Sequence, residues 1–318
     1  MDSLKQQIYK YIEKNNNNEK IISKSSIKTY TNYIYKLYKE FNNDNEFEAE
    51  FFLTNYKEVL KFIDNLINDN SKKSYIASIL FLLKKFNDKN DIFKKNIYLE
   101  YIENTKKKID DVKLNQEKNE KETENWITQD EIKIIYNDMY KKYYPLLQQY
   151  KNINIKKDYQ NIQNFIIISL YYLNMPRRLL DYTELKISEY DKNKDNYIYK
   201  KQFIFNIFKT SKYYDNNKVD INNELYNILN LFILMKKNNN NLNQIYLLES
   251  DNHNKINSVI LNKRLNKIFG NKNISVNILR KSYLSSIYKN IPSLKEINNI
   301  SNNMSNSFRE QLISYVKK

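Results

Sequence analysis

Arg178, Lys209, Arg280 and Tyr315 stand in that order along a chain of 318 residues, and together they could break and remake a phosphodiester without a metal ion. Attack on a phosphodiester builds negative charge on its non-bridging oxygens. A guanidinium answers that charge best, because its planar fork matches phosphate geometry. Arg178 lies in Met175-Pro176-Arg177-Arg178-Leu179-Leu180-Asp181, three residues before an aspartate that could hold its orientation. Arg177 is the neighbouring candidate, and the spacing to Asp181 favours Arg178. Lys209, in Phe208-Lys209-Thr210-Ser211-Lys212, falls at the end of an expected hairpin strand, where it can protonate a departing 5′ oxygen. General-acid work of this kind contributes about 10²–10⁴-fold. Asn277 and Arg280 are three apart and share a helix face.

The last fifteen residues hold Met304-Ser305-Asn306-Ser307, then Gln311, then Tyr315. A tyrosine that attacks phosphate keeps the bond energy as an ester, so the strand can be rejoined without ATP. A free phenol has a pKa of about 10, so positive charge must lie close to it. The order and spacing matter more than any one residue, because the chain has 29 tyrosines and 53 lysines and arginines. An isolated Arg-x-x-Asp is commonly a surface ion pair, and an isolated tyrosine commonly packs in a core.

The elements that must position these residues can be read from periodicity. Pro176 marks the end of a helix over Ile162–Leu173 that is apolar on most sides. Tyr197–Phe208 is rich in Tyr, Ile and Phe and suits strands, and Asp215-Asn216-Asn217 is a turn, so 203–221 reads as a hairpin. A short strand is expected at Gln244–Leu248, with helices otherwise from Leu225 onward. Ser275, or Asn273 before it, could cap the helix that carries Asn277 and Arg280. Thr128 and Glu131 are spaced as a capping box opening a domain at Trp126-Ile127. Before that, residues 111–124 lack a sustained apolar face and read as a charged linker. Residues 24–110 read as a small helical bundle, with the stripe Tyr30, Tyr33, Ile34, Leu37 and Tyr38 recurring in kind over Phe51–Ile67 and Tyr75–Phe86, and with a turn and cap signal at Asp69-Asn70-Ser71. Residues 1–23 are expected as an N-terminal helical extension. The expected architecture is therefore mainly α with a small β-hairpin or sheet (α+β).

Composition narrows the function. A net charge of +16 favours a polyanionic partner, nucleic acid being the commonest. The absence of cysteine excludes a disulfide framework, thiol chemistry and a Cys-based zinc site. With one histidine, His253, in a polar loop that reads as solvated, a histidine-based metal site or Ser-His triad is nearly excluded. No apolar run approaches the ~20 residues of a spanning helix. Met1-Asp2-Ser3-Leu4-Lys5 does not read as a signal peptide. The heavy use of Asn, Lys, Ile and Tyr beside one Gly and three Pro reads as AT-rich coding bias.

Taken together, these elements resemble the tyrosine recombinase (phage-type integrase) family, whose catalytic domain is shared with type IB topoisomerases. Arg178-Leu179-Leu180-Asp181, with Leu185 four residues on, resembles its first box, and Lys209 its hairpin lysine. Asn277-Ile278-Leu279-Arg280-Lys281-Ser282-Tyr283 resembles its His-x-x-Arg box. Met304-Ser305-Asn306-Ser307 resembles its third box, and Tyr315 follows Asn306 by nine residues, the family's spacing. The likeness covers 126–318, and 24–110 is similar to the family's core-binding domain, especially Ser26-Ile27-Lys28-Thr29-Tyr30 and Ser74-Tyr75-Ile76.

The resemblance implies a helical core-binding domain (24–110), the linker (111–124) and a catalytic domain (125–318). It implies a site-specific recombinase that acts through a 3′-phosphotyrosyl intermediate without metal, nucleotide or other cofactor. Arg178 and Arg280 would hold the phosphate, Asn277 and Asn306 would add hydrogen bonds, Lys209 would act as acid and Tyr315 as nucleophile. Arg177, Lys72 and Lys73 are candidate DNA contacts. The implied partner is double-stranded DNA, bound by a homotetramer at a synapse, with no membrane and no small-molecule substrate, inside the cell where the target DNA lies. Both family histidines are asparagine here, Asn277 and Asn306, which can donate hydrogen bonds but cannot shuttle a proton. The family's usual glycines are replaced by Pro176 and Ser305. Three residues follow Tyr315, so subunits are expected to link by something other than a long C-terminal helix. The alternatives are a type IB topoisomerase-like relaxing enzyme and a catalytically weakened DNA-binding relative.

Overall fold

The computed structural model describes residues 3–17, 22–41, 46–152, 155–211, 217–270, 272–290 and 292–317. The chain is mainly α-helical with one small sheet, and it divides into two compact units, Met1–Asn115 and Gln116–Lys318.

The first unit contains α1 (Ser3–Asn17), α2 (Lys24–Phe41), α3 (Phe51–Thr54), α4 (Tyr56–Asp64), α5 (Asp69–Leu82) and α6 (Lys89–Leu114). The α2 stripe buries Ile27, Thr31, Ile34, Leu37 and Tyr38, a helical face at spacings of three and four. The buried Tyr98 of α6 donates its hydroxyl to the Phe52 carbonyl at 2.8 Å, tying α6 to α3. Helix α1, within the stretch 1–23 expected as an extension, supplies core: Leu4, Ile8 and Ile12 are buried in the same cluster. The cap of α5 is Asn68, whose side chain accepts from the Asn70 and Ser71 amides, so Asp69–Ser71 is the first turn and not a loop. Helix α6 runs on through Leu114, so the first part of the stretch expected as a linker is helical, and the break falls after Asn115. Its highly charged end needs no apolar face because little of it is buried after Ile109.

The second unit contains α7 (Glu120–Glu124), α8 (Gln129–Gln148), α9 (Ile155–Tyr172), α10 (Leu179–Thr183), β1 (Leu185–Lys186), β2 (Asn196–Tyr199), β3 (Gln202–Phe205), β4 (Asn217–Asp220), α11 (Asn223–Lys237), α12 (Ser258–Ile268), α13 (Val276–Ile287), α14 (Leu294–Met304) and α15 (Phe308–Glu310). A π-helical turn, Gln311–Tyr315, extends α15. The Thr128–Glu131 capping box forms as its spacing requires. Helix α9 is central: Ile162, Phe165, Ile166, Ile167, Ile168 and Leu170 are fully buried, which is why it is apolar on most sides.

The sheet order is β1-β2-β3-β4, with β1 and β2 parallel and the other pairs antiparallel. Within the expected 203–221 hairpin, β3 pairs with β4 from Gln202↔Asp220 to Phe205↔Asn217. The expected Asp215-Asn216 turn lies outside the described residues. The Tyr-Ile-Phe run before it is two strands, because Lys200 and Lys201 adopt φ of 44° and 63° and form a two-residue turn between Tyr199 and Gln202. The segment expected as a strand at Gln244–Leu248 makes only an isolated bridge, Lys186↔Tyr246.

Candidate active site

The helix break at Pro176, the C-terminal end of α14 and the start of α13 meet in the second unit, and each delivers one part of the site. Ser275 caps α13 by accepting from the Ile278 amide, and the helix then buries Ile278, Leu279, Arg280 and Leu284. Arg280 is 0% exposed. Its Nη1 donates to the Pro176 carbonyl at 2.7 Å and its Nη2 to the Met304 carbonyl at 3.3 Å, while its Nε has no partner. Among the described residues no carboxylate forms an ion pair with it. Burial pulls its pKa below the ordinary arginine value, the Tyr315 phenol pushes it up, and the neighbouring Arg178 pulls it down again. Asp181 adds a weaker upward pull, without an ion pair to Arg280.

Arg178 occupies the N-cap position of α10, half-buried, with Nη1 3.4 Å from the Ser305 carbonyl. Arg177, expected as a DNA contact, is instead 2% exposed and fully engaged inside. Its Nε meets Asp181 Oδ2 at 2.7 Å, Nη2 reaches Ser305 Oγ at 3.2 Å, and Nη1 donates to the Asn303 carbonyl. Its guanidinium also lies 4.2 Å from the Phe205 ring centroid. Asp181 therefore orients Arg177, not Arg178 as the three-residue spacing suggests. Burial raises the Asp181 pKa, against the pull of Arg177, Arg178 and Arg280.

Ser305 ends α14 in the left-handed region, φ 49° and ψ 52°, a conformation that favours glycine. Its hydroxyl and carbonyl meet Arg177 and Arg178, so here a serine serves both as cap and as tether for the paired arginines. Asn306 follows, 4% exposed. Its Oδ1 accepts from Gln311 Nε2 at 3.2 Å, and its Nδ2 is buried without a partner.

Tyr315 closes the π-turn, partly buried against a small cluster of Leu284, Ile300, Met304 and Met175. The Arg280 guanidinium carbon lies 4.9 Å from its ring centroid. The segment is pinned from both sides: Gln116 Nε2 donates to the Leu312 carbonyl at 2.9 Å and the Lys317 amide donates to Ser285 Oγ at 2.8 Å. π-turns are rare and often accompany functional sites.

Structure thus gathers Arg178, Arg280, Asn306 and Tyr315, contributed by segments about 140 residues apart at the extremes. Lys209 is near in backbone but not in side-chain contact. It is exposed, and the next residue, Thr210, donates its hydroxyl to the Ser305 carbonyl at 3.3 Å. Asn196 helps fix that approach, its Nδ2 bonding to the Asp181 and Ile207 carbonyls. Asn277 is exposed on α13, and its side chain makes no hydrogen bond among the described residues. Lys72 and Lys73 lie in the first turn of α5 in the other unit, and Lys72 sits 3.6 Å from Asp69. Gln311, Thr210 and Ser305 had no assigned role in the sequence reading. Only Ser305 carried a signal, as a serine where a glycine was expected.

His253 is not simply solvated: its Nδ1 lies 2.7 Å from the fully buried Glu249, which also holds the fully buried Lys236 at 3.1 Å. Among the described residues no group of three or more acidic or histidine side chains could hold a metal ion. No helix among them is long and apolar enough to cross a membrane.

The sequence matches no known family profile and no curated protein. Among solved structures the chain is similar to a XerA recombinase, with a TM-score of 0.41 and 12% identity over 98% of this chain and 92% of that one. A likeness at this level says nothing about chemistry.

Proposed function

We propose that the chain is a site-specific DNA recombinase that cleaves and rejoins duplex DNA through a phosphotyrosyl bond on Tyr315. One observation carries the reading: Arg280 lies against the Tyr315 ring and in the field of Arg178, with no carboxylate ion-paired to it among the described residues, and both its Nε and the Nδ2 of Asn306 are buried without a partner. Cationic and N–H groups without a partner of their own suit the charge of a phosphodiester. Arg280 and Arg178 bind the non-bridging oxygens and Asn306 Nδ2 donates to one of them. The Tyr315 oxygen attacks phosphorus, the bond to the 5′ oxygen breaks, and Lys209 gives that oxygen its proton. The phenol's own proton passes to water, because neither Asn277 nor Asn306 can take it. Attack by a 5′ hydroxyl of a partner strand reverses the step and frees Tyr315. Neither metal nor nucleotide takes part. Four protomers act on two synapsed duplexes, and Lys72 and Lys73 contact the DNA backbone.

A second reading, a duplex-binding relative that does not cut, is favoured by the lack of a proton acceptor at Asn277 and Asn306. The test uses nicked duplex recovered by selecting random-sequence DNA for binding, mixed with wild type and Tyr315→Phe in EDTA and resolved on a denaturing gel. A covalent band with wild type alone supports cleavage. No band on DNA that is demonstrably bound supports the second reading. Relaxation of supercoils without strand exchange would instead point to a topoisomerase-like enzyme.

A further inference from the structure

Half of the Asn306 amide is accounted for by Gln311, a side chain the proposed chemistry does not use. Gln311 is 0% exposed and begins the π-turn that ends at Tyr315. Its Oε1 accepts the Tyr288 hydroxyl at 2.6 Å. Its Nε2 donates to Ser301 Oγ at 2.8 Å and to Asn306 Oδ1 at 3.2 Å. Both ends of the Gln311 amide are therefore engaged. Tyr288 follows α13 and Ser301 lies on α14, so the chain of bonds joins the helix that carries Arg280 to the helix that ends at Asn306.

The consequence falls on Asn306. A primary amide is ambivalent: turning it over exchanges a donor for an acceptor. An oxygen turned toward a phosphate would repel it, whereas an N–H would bind it. With Gln311 presenting a donor to Oδ1, the end left over is Nδ2, which is buried and unpartnered. A buried donor left unsatisfied is costly, so this one, like the Arg280 Nε that also lacks a partner, points to a ligand oxygen.

We propose that Gln311 is a positioning residue that locks the Asn306 amide with Nδ2 as a donor to a non-bridging oxygen of the bound phosphodiester, with Tyr288 holding Gln311 in turn. The inference rests on the proposed cleavage by Tyr315. Because Gln311 and Tyr315 share one turn, the same local fold sets both the phosphate donor and the nucleophile.

The experiment measures single-turnover adduct formation on the selected nicked duplex, and duplex affinity separately, for Gln311→Met and Gln311→Glu, each with Asn306 intact and with Asn306→Ala. Removing one preorganised donor costs about 10²–10³-fold in rate, so loosening it through Gln311→Met is expected to cost about 10- to 100-fold, with affinity little changed. Gln311→Glu should cost more, because a carboxylate would draw Nδ2 to itself and turn Oδ1 outward. Neither change should slow the Asn306→Ala protein further, since residues acting through one contact are non-additive. A collapsed turn would slow both backgrounds alike. Tyr288→Phe removes only the hydroxyl on Gln311 and should give a smaller loss with the same dependence on Asn306, so it decides the matter if the Gln311 variants do not fold. Wild-type rates in the Gln311 variants and Tyr288→Phe, or equal losses with Asn306→Ala, would overturn the positioning role while leaving Tyr315 chemistry standing. No adduct with wild type on bound DNA would remove both.

Discussion

Arg177 and Arg178 are neighbours whose removal should have opposite consequences. Arg177→Met strands the buried Asp181 carboxylate and frees the end of α14, so it should cost about 3–5 kcal/mol, read from urea unfolding. Arg178→Met should leave stability within about 1 kcal/mol, since its one internal hydrogen bond is long, and should abolish adduct formation on DNA that still binds. Lys209→Ala should slow cleavage about 10²–10⁴-fold. A substrate whose 5′ oxygen is replaced by sulfur needs no proton at the leaving atom, so it should restore the rate. The sequence order singled out Arg178, Arg280, Asn306 and Tyr315, which the fold brings near one another, but not which arginine meets Asp181. Spacings of three and four both bring residues together on a helix. Arg178, however, is an extended cap outside the helix, and only its predecessor points inward. Gln311 was illegible because a buried polar side chain with three partners looks, in sequence, like any exposed glutamine.

At the level of elements, capping patterns and the 203–221 hairpin were readable, and a turn built from unusual residues was not. The Thr128–Glu131 box and the Ser275 cap are local hydrogen-bond patterns and formed where their spacing placed them. The β2–β3 turn was hidden because two lysines, Lys200 and Lys201, hold positions that usually call for Asn-Gly. Lys200→Asn with Lys201→Gly should therefore stabilise the second unit by about 1–2 kcal/mol, measured by thermal unfolding. A second element-scale expectation concerns the buried pair joining α11 to the segment before α12. Burial holds Lys236 down at about 8, against an ordinary 10.5. Between those values the unfolded chain keeps the proton and the folded chain does not, so stability should rise with pH by about 1.4 kcal/mol per unit above 8. Urea midpoints followed from pH 7 to 9.5 should show that rise in wild type and lose it in Lys236→Met. The buried tyrosines, whose pKa values burial raises, oppose that rise only near the top of this range, because an unfolded phenol begins to ionise only as pH nears about 10.

For the whole molecule, a net charge of +16 suits the polyanionic partner proposed above. If about 6–10 phosphates are contacted, duplex affinity should fall about 10³–10⁵-fold between roughly 50 and 200 mM salt. A shallow salt dependence would contradict the charge-based part of the account. The participation of α1 in the first core was not legible, since Leu4, Ile8 and Ile12 are too few apolar positions to separate a core helix from an appendage. The central claim is that one tyrosine among 29 is the nucleophile. The most direct measurement is to trap the adduct on selected nicked duplex, digest both components and locate the nucleotide by mass spectrometry. The remnant is expected on the peptide containing Tyr315 and on no other. A remnant on any other residue, or none where the duplex is bound, would contradict it.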